Sequence, residues 1–398
     1  MALIAMMALV VLFEGFDISV TSIVLPYVSG EFHVGPQAIG QAVAAVGMGA
    51  IAAALLLRLA DRFGRRPLLL IATGGFATGS LATMLATDLW HYAAFQFFTR
   101  MLAVTQVSVA YLIVTETLPP QWRGRINGLL GALGSLGAAL PFMLLEKMLA
   151  TSLGWRGLFL IGGAPLLILP LLFFLLPETP AFVASRQRGM AGLSLITQVR
   201  QLWSLDLRRQ FLLVSLLWVL INFASVSTSV FFTTYAVKER GWNAGDLALL
   251  GPAILAAAAL GNLLSGYMVD RVGRRFTIGL FLVVLGLAAQ LGYASHDKWL
   301  IGACWIVIQS TYGIWAASFT LTSELFPPHL RGAANGACNN LIGRWGMVIA
   351  PAVVGEMGAR LGGVGAAAFW CSLAAYAALP ILWLLPETRG ETRKFPAA

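Results

Sequence analysis

The sequence predicts an all-α membrane protein with 12 transmembrane helices, and three observations support this. The 398 residues are 59% hydrophobic and only 11% charged, whereas soluble globular proteins carry about 25% charged residues. Twelve apolar runs are long enough to cross a hydrocarbon layer of about 30 Å. Basic residues concentrate in alternate connecting segments, as expected for loops on opposite sides of a membrane. Composition and pattern together exclude a soluble enzyme.

The twelve runs follow one another with short connections, and they must be helices because lipid offers exposed backbone groups no hydrogen-bond partners. The first run is not a cleavable signal peptide, since it is too long, lacks a basic start and contains Glu14 and Asp17. Met1 leads directly into this run, which leaves open whether a short cytoplasmic tail precedes it. We predict spans near residues 2–28, 36–57, 67–86, 91–114, 126–149, 157–176, 210–236, 247–268, 276–294, 299–322, 333–357 and 364–385.

The basic residues predict the orientation. Of the 26 Lys and Arg residues, 18 lie after even-numbered spans or at the C-terminal end, and 6 lie on the opposite side. By the positive-inside rule, both termini are cytoplasmic and the protein is a multi-pass component of the cell inner (plasma) membrane. The net charge of +9 is therefore a consequence of topology, and we expect no nucleic-acid partner.

Metal, cofactor and disulfide chemistry are not expected. The three cysteines lie in apolar runs without paired spacing, and the four histidines occur singly. The sequence also lacks a recognisable nucleophile–base pair and a phosphate-binding Gly-Lys loop. We therefore predict that the protein is not an enzyme.

Three short motifs occur twice, at an offset of 208 or 209 residues. They are Leu59-Ala60-Asp61-Arg62-Phe63-Gly64-Arg65-Arg66 with Met268-Val269-Asp270-Arg271-Val272-Gly273-Arg274-Arg275, then Glu116-x-x-Pro119-x-x-x-Arg123-Gly124 with Glu324-x-x-Pro327-x-x-x-Arg331-Gly332, and Pro177-Glu178-Thr179 with Pro386-Glu387-Thr388. One shared offset predicts two homologous six-helix halves, residues 1–179 and 210–388. A cytoplasmic linker, 180–209, joins them, and a cytoplasmic tail covers 389–398.

These motifs resemble the major facilitator superfamily over the whole chain. The basic D-R-x-G-R-R loop after the second span of each half is the most specific mark of that superfamily. Leu57 replaces the usual leading glycine in the first half, whereas Gly266 keeps it in the second. The resemblance implies two parallel six-helix bundles around a central pathway, the major facilitator fold.

The charged residues of these motifs are predicted to gate the inner side of the pathway. Ion pairs across the two halves could hold that side closed, and networks are needed because exposed pairs contribute only about 0–1 kcal/mol each. We expect Glu116 to pair with Arg62 and Arg123, and Glu324 with Arg271 and Arg331. Asp61 can also face a helix N-terminus. The alternative is that the arginines serve topology alone. The predicted gating set is Asp61, Arg62, Arg65, Glu116, Arg123, Glu178, Asp270, Arg271, Arg274, Glu324, Arg331 and Glu387.

Four ionisable residues fall near the middle of predicted spans. Glu14 and Asp17 lie three residues apart and share one face of span one, while Arg100 lies in span four and Arg344 in span eleven. A charge at the bilayer centre costs at least about 2.5–3.5 kcal/mol, so each is a functional hypothesis. Asp17, with Glu14 beside it, is the predicted proton-coupling site, and Arg344 or Arg100 is the predicted clamp for an organic anion. The alternative is a permanent ion pair that holds helices together.

A second resemblance narrows the substrate class. Glu14-Gly15-Phe16-Asp17 looks like the D-G-F-D signature of the aromatic acid:proton symporter family, and Gly154-Trp155-Arg156 is similar to an outer loop of that family. Gly343-Arg344-Trp345-Gly346 resembles span eleven of organic-ion and niacin-type carriers. In span four, Val104, Gln106 and Ser108 replace the expected glycines, which points to a different substrate within the family.

The superfamily resemblance also implies which polar residues line the pathway. Spans one, four, seven and ten face the cavity in this superfamily, and an arginine with aromatic faces would suit a flat carboxylated ring. Asn340 lies four residues before Arg344 and would share its face in an α-helix. The alternative is ordinary packing, because aromatic residues are common in membrane bundles. The remaining candidates for substrate binding are Asn222, Gln309, Tyr312 and Trp315.

The leading hypothesis is therefore a monomeric secondary transporter that carries a small organic acid, with aromatic acids included, in symport with protons. The alternatives are a sugar/proton symporter, a drug/proton antiporter and a membrane receptor that does not transport. Span seven lacks the paired glutamines of sugar carriers, and span five lacks the Gly-Pro turn of drug antiporters. The expected partners are the organic anion, protons and the lipid bilayer.

Overall fold

The computed structural model describes residues 2–187, 201–327 and 330–389, and every regular element within these ranges is a helix. Ten helices of this described part are long and apolar enough to cross a membrane. The predicted all-α membrane class is therefore confirmed. The predicted spans near 67–86 and 333–357 are also helical, but they fall outside the ten because they are more polar.

The chain divides into two compact units. Unit 1 comprises Met1–Ala191 with Ala236–Leu255, and unit 2 comprises Gly192–Tyr235 with Ala256–Ala398. The predicted halves, 1–179 and 210–388, stay a prediction. Much of the predicted linker, residues 188–200, and the tail from residue 390 lie outside the described residues.

The helices before residue 190 are numbered in chain order. They are α1 Ala2–Ile23, α2 Leu25–Glu31, α3 Pro36–Phe63, α4 Arg65–Thr83, α5 Leu89–Thr117, α6 Pro120–Leu149, α7 Arg156–Gly162, α8 Pro165–Leu175 and α9 Pro180–Gln187. Proline begins α3, α6, α8 and α9, where its missing N–H costs nothing. Asp88 caps α5 by accepting hydrogen bonds from the backbone N–H groups of Trp90 and His91.

The later helices are interrupted more often. They are α10 Leu205–Ser229, α11 Phe232–Thr234, a π-helix Tyr235–Glu239, α12 Ala244–Arg271, α13 Arg274–Ala294, α14 Lys298–Ser310, a 3₁₀ turn Thr311–Gly313, α15 Ile314–Leu325, α16 Arg331–Asn335, a π-helix Gly336–Gly343, α17 Arg344–Leu361, α18 Val364–Cys371 and α19 Ala374–Leu384. The second π-helix ends directly before Arg344. Because π-helices form i→i+5 hydrogen bonds, the α-helical spacing assumed for Asn340 and Arg344 does not hold here.

Glycine lets α1 and α6 approach each other closely. A Cβ atom at Gly15 would overlap the carbonyl of Gly134, and one at Gly137 would overlap the carbonyl of Leu12. Small residues at such positions are typical of membrane helix pairs, where backbone contact replaces side-chain packing. Gly15 belongs to the Glu14–Asp17 motif, so this contact fixes the position and orientation of Asp17 relative to α6.

Adding one methyl group at the α1–α6 contact should destabilise unit 1. We expect Gly137→Ala to lower the free energy of unfolding by about 1–3 kcal/mol, because the added Cβ meets backbone that cannot yield. Gly128→Ala in the same helix is the control, since a Cβ there has no neighbour within 4 Å. The control should gain up to about 1 kcal/mol from helix propensity. Melting temperatures in detergent measure both, and equal stabilisation by the two variants would contradict the close contact.

Candidate functional site

Asp17 lies in the interior of unit 1, opposite Arg100. The Asp17 side chain is 3% exposed and that of Arg100 is 13% exposed, and Asp17 Oδ2 lies 3.5 Å from Arg100 Nη2. This is a loose ion pair, because among the described residues Oδ2 accepts no hydrogen bond. Burying two charges is costly unless they are paired, so each side chain depends on the other. Protonation of Asp17 would therefore break the ion pair, and both side chains are held in the interior of unit 1.

A chain of uncharged polar side chains extends from Arg100. Arg100 Nη2 donates to Thr21 Oγ1 at 3.2 Å. Thr21 Oγ1 lies 3.0 Å from the carbonyl oxygen of Asp17 and 3.1 Å from Gln96 Oε1, and its one proton can go to either. Gln96 Nε2 donates to Thr83 Oγ1 at 3.0 Å, and that hydroxyl donates to the carbonyl of Gly79 at 2.9 Å. The guanidinium is thus tied to α4 through α1 and α5.

Glu14, the second predicted proton-coupling residue, lies one turn before Asp17 on α1. Its side chain is half-buried, and Tyr111 of α5 is close enough to interact with it electrostatically. Tyr92 of α5 is likewise close enough to Asp17 and Arg100 to interact with both electrostatically. The two carboxylates of α1 therefore face the same neighbouring helix.

Unit 2 contains a cluster of neutral side chains, two amides and one indole. Trp315 Nε1 donates to Asn222 Oδ1 at 3.0 Å, and Asn222 Nδ2 donates to Asn339 Oδ1 at 3.1 Å. The Tyr312 ring lies beside Trp315 with centroids 4.8 Å apart. Three predicted substrate-binding residues, Asn222, Tyr312 and Trp315, thus form one cluster. Asn339, in the π-helix, joins them although the sequence pointed to Asn340.

The other candidates of unit 2 lie on the same elements. Gln309 is half-buried near the end of α14, and its Oε1 has no hydrogen-bond partner among the described residues. Asn340 and Arg344 are half-buried in and just after the π-helix. π-Helical turns are uncommon and occur often at functional sites, so the break in regular spacing falls where the sequence predicted binding.

The inner motif of unit 1 forms one compact cluster. Arg65 donates to Glu116 through Nε at 3.1 Å and through Nη2 at 3.0 Å. Thr179 Oγ1 donates to the same carboxylate at 2.5 Å. Glu178 accepts hydrogen bonds from the backbone N–H groups of Arg65 and Arg66, the first residues of α4. Three chain segments are thereby joined by two carboxylates.

The repeated motif of unit 2 forms the same cluster. Arg274 donates to Glu324 through Nε at 2.9 Å and Nη2 at 2.6 Å. Thr388 Oγ1 also donates to Glu324. Glu387 accepts from the backbone N–H groups of Arg274 and Arg275, each at 3.0 Å. The predicted repeat therefore extends to individual hydrogen bonds.

These contacts correct the predicted partners of the inner acids. Glu116 pairs with Arg65, and not with Arg62 or Arg123. The same holds in unit 2, where Glu324 pairs with Arg274, and not with Arg271 or Arg331. The displaced arginines have other contacts: Arg62 lies over Phe63, Arg271 over Tyr267, Arg123 donates to the carbonyl of Leu118, and Arg331 to that of Phe326.

Acids of the third repeated motif occupy two helix N-termini. Glu178 and Glu387 cap α4 and α13, where the helix dipole favours a negative charge. Gly64 and Gly273, at φ 109° and 102°, precede these helices, and a Cβ at either would crowd the capping carboxylate. The side chain of Asp61 lies outside the described part of the structure, and Asp270 is exposed.

A different charged cluster lies at the other end of α4, just after Thr83. Arg156 Nη1 lies 2.8 Å from Glu31, and its Nε and Nη2 donate to the carbonyls of Met84 and Ala86 at 2.9 Å. Trp155 Nε1 donates to Glu31 at 2.7 Å. Partial burial alone would raise the pKa of Glu31, but the hydrogen bonds from Trp155 and Arg156 and the charge of Arg156 lower it overall. The Trp-Arg motif thus holds the loops at this end.

Sequence reasoning missed Thr21, Gln96 and Asn339. Neutral polar residues in membrane helices are too common to stand out, whereas isolated charges are rare. The signal that could have indicated Thr21 and Gln96 is their spacing, since each lies four residues from a predicted charge, Asp17 or Arg100, and so shares its face.

Comparison with known proteins identifies related sequences. The family model described as Major Facilitator Superfamily matches residues 7–259 and 220–398. A niacin transporter of Acinetobacter baylyi is 25% identical, over 96% of this chain and 92% of that protein. A cis,cis-muconate transport protein of the same organism is 27% identical, over 93% and 92%. A 3-(3-hydroxyphenyl)propionate transporter of Escherichia coli is 26% identical, over 90% and 87%.

Solved structures agree on the fold. A crystal structure of a D-xylose-proton symporter superposes with a TM-score of 0.81, covering 98% of this chain and 99% of that one at 16% identity. At this level of identity, the likeness concerns the fold alone.

The helix caps generate a pH-dependent prediction. Burial raises the pKa of Glu387, but hydrogen bonds from the backbone N–H groups of Arg274, Arg275, Thr388 and Arg389 lower it further, so the net shift is downward. The cap is therefore fully stabilising above pH 4.5, the ordinary pKa of a glutamate. It is lost as the pH falls through the lower value of the folded protein.

Glu387→Gln should reduce stability at pH 7 by roughly 0.5–1 kcal/mol, since a half-exposed cap is partly screened by solvent. The difference from the wild type should shrink as the pH falls below 4.5 and through the lowered pKa of Glu387, as followed by melting temperature in detergent. Glu356→Gln is the matched control, because Glu356 forms an exposed pair with Arg360. A deficit for Glu387→Gln that does not change with pH would contradict the charge-based cap.

Proposed function

Since the chain belongs to the Major Facilitator Superfamily, we propose that it is a secondary active transporter that carries a small organic acid together with protons by alternating access. The observation that carries this proposal is the buried, loose pair of Asp17 and Arg100. A carboxylate in this position can exchange a proton, and its partner is a permanent cation that binds carboxylates well. The two residues can therefore link proton and anion loading.

The coupling follows from charge balance in a low dielectric. While Asp17 is ionised, its charge satisfies Arg100, and a second anion is repelled. When Asp17 takes up a proton, the guanidinium is left without its counter-ion, and burial of an unpaired charge is costly. An incoming carboxylate restores the balance, so the proton and the organic anion bind together and leave together.

The relatives support an organic acid as the substrate class. Two of them are named for muconate and a phenylpropionate, which are carboxylates, and one is named for niacin. The amide and indole cluster around Asn222 in unit 2 offers hydrogen bonds and flat apolar faces without a charge. Such a surface suits a flat, uncharged group. The predicted carboxylate clamps remain Arg100 in unit 1 and Arg344 in unit 2.

The proposal includes the topology predicted from the sequence. Twelve spans and cytoplasmic termini in the inner membrane agree with the distribution of basic residues, and the proposed state is a monomer. The two inner clusters then lie at the cytoplasmic ends of the helices, where we assign them to gating. Each cluster joins three segments of its own unit through charge-assisted hydrogen bonds, and we propose that these contacts form and break during a transport cycle.

Asp17→Asn tests the coupling. Asparagine keeps the size of the side chain but cannot be protonated or carry a charge, so uphill uptake driven by a pH gradient should fall at least about 100-fold in proteoliposomes. Exchange of labelled for unlabelled substrate should persist in part, because it needs no net proton movement.

Asp88→Asn provides the matched control, since Asp88 is an exposed helix cap that asparagine can replace. It should retain proton-driven uptake. If Asp17→Asn still accumulated substrate against its gradient at the wild-type level, Asp17 would not be the coupling residue.

A further inference from the structure

Thr21, Gln96 and Thr83, which the sequence did not single out, form a continuous and enclosed chain beside Arg100 and the backbone of Asp17. Gln96 and Thr83 are fully buried and Thr21 is 4% exposed. Gln96 uses both ends of its amide, with Oε1 toward Thr21 and Nε2 toward Thr83. Thr21, Gln96 and Thr83 thus form one buried, continuous hydrogen-bonded chain that supports the position of Thr21.

The support ends on the guanidinium of Arg100. Arg100 Nη2 lies 3.2 Å from Thr21 Oγ1 and 3.5 Å from Asp17 Oδ2. The same nitrogen is thus held by an uncharged acceptor that is independent of pH and by a carboxylate that is not. Loss of the ionic contact on protonation leaves the contact with Thr21 in place.

Few charged or titratable groups other than Arg100 lie near Asp17. On α5, Arg100 and Tyr92 lie close enough to Asp17 to interact with it electrostatically, and Glu14 precedes it on α1. The other helices packed against α1 carry described charges only near their ends: Glu31 on α2, Arg123, Arg125, Glu146 and Lys147 on α6, and Arg156 on α7.

We propose that Thr21, braced by Gln96 and Thr83, is a positioning residue that holds Arg100 opposite Asp17 whether or not Asp17 is protonated. The inference rests on the proposed function of the Asp17–Arg100 pair. Two consequences follow for transport. The nearby cation favours proton release from Asp17, and the guanidinium stays in place to receive the substrate carboxylate while Asp17 is neutral.

Thr21→Val removes the hydroxyl while keeping the shape of the side chain. Without its second contact, Arg100 stabilises the Asp17 carboxylate less, so Asp17 takes up its proton at a higher pH. The pH profile of uptake into proteoliposomes should shift by about 0.5–1 unit toward alkaline pH, the order of effect of one hydrogen bond to a charged group. KM for a transported carboxylate should rise about 3–10-fold with kcat largely retained, because positioning of the anion site is impaired.

Three further variants separate positioning from general damage. Thr21→Ser keeps the hydroxyl and should show the wild-type pH profile of uptake. Gln96→Leu removes the brace and should shift the profile in the same direction as Thr21→Val. Thr105→Val is the matched control on α5, because this buried hydroxyl donates to the carbonyl of Met101 in its own helix, and its profile should not move.

The outcomes distinguish this inference from the proposed function. If Asp17→Asn abolishes proton-driven accumulation but Thr21→Val and Gln96→Leu keep the wild-type pH profile and KM, or shift the profile toward acid, the positioning role is wrong and the coupling role survives. If Asp17→Asn itself accumulates substrate normally, the coupling role is wrong. Should Thr21→Val fail to yield folded protein by size-exclusion chromatography, Gln96→Leu with Thr21→Ser decides the question.

Discussion

The cost of placing charge inside a membrane constrains the structure more than any other factor. Asp17 and Arg100 are tolerated in unit 1 because each is the counter-ion of the other, at 3.5 Å. Their position depends on the chain around them. The close contact of Gly15 with Gly134 sets the depth of α1, and the hydrogen bond from Arg100 to Thr21 sets the direction of the guanidinium. A proton that neutralises Asp17 therefore disturbs a pair whose surroundings are fixed.

The two units use one construction at their inner ends and different chemistry in their interiors. In both, an acid from the last motif caps the helix after a glycine at positive φ, and a second acid binds the first arginine of that helix. In the interior, unit 1 holds an ion pair, whereas unit 2 holds the neutral cluster of Asn222, Trp315 and Asn339. The repeated motifs thus form one shared framework, whereas the interiors of the two units differ in chemistry.

The sequence predicts the helices, the repeat and the rare interior charges, because apolar length and isolated charges are strong signals. It does not predict which arginine binds Glu116. Arg62 and Arg65 are equally plausible in the sequence, and the choice depends on a chain reversal at Gly64 that directs Arg65 toward the acid. It also pointed to Asn340, whereas Asn339 joins the cluster, because the π-helix changes the spacing of side chains. Neutral residues such as Gln96 gain meaning only from their neighbours.

The central claim, that a buried carboxylate–arginine pair couples protons to an organic acid, is tested most directly by transport in proteoliposomes. Uptake of a panel of hydroxybenzoates, other carboxylates and hexoses would be measured with and without a pH gradient that is acid outside. The account predicts accumulation of one or more carboxylates, driven by the gradient, and none of the hexoses. Hexose accumulation, carboxylate uptake that is indifferent to the gradient, or saturable binding without flux would contradict it.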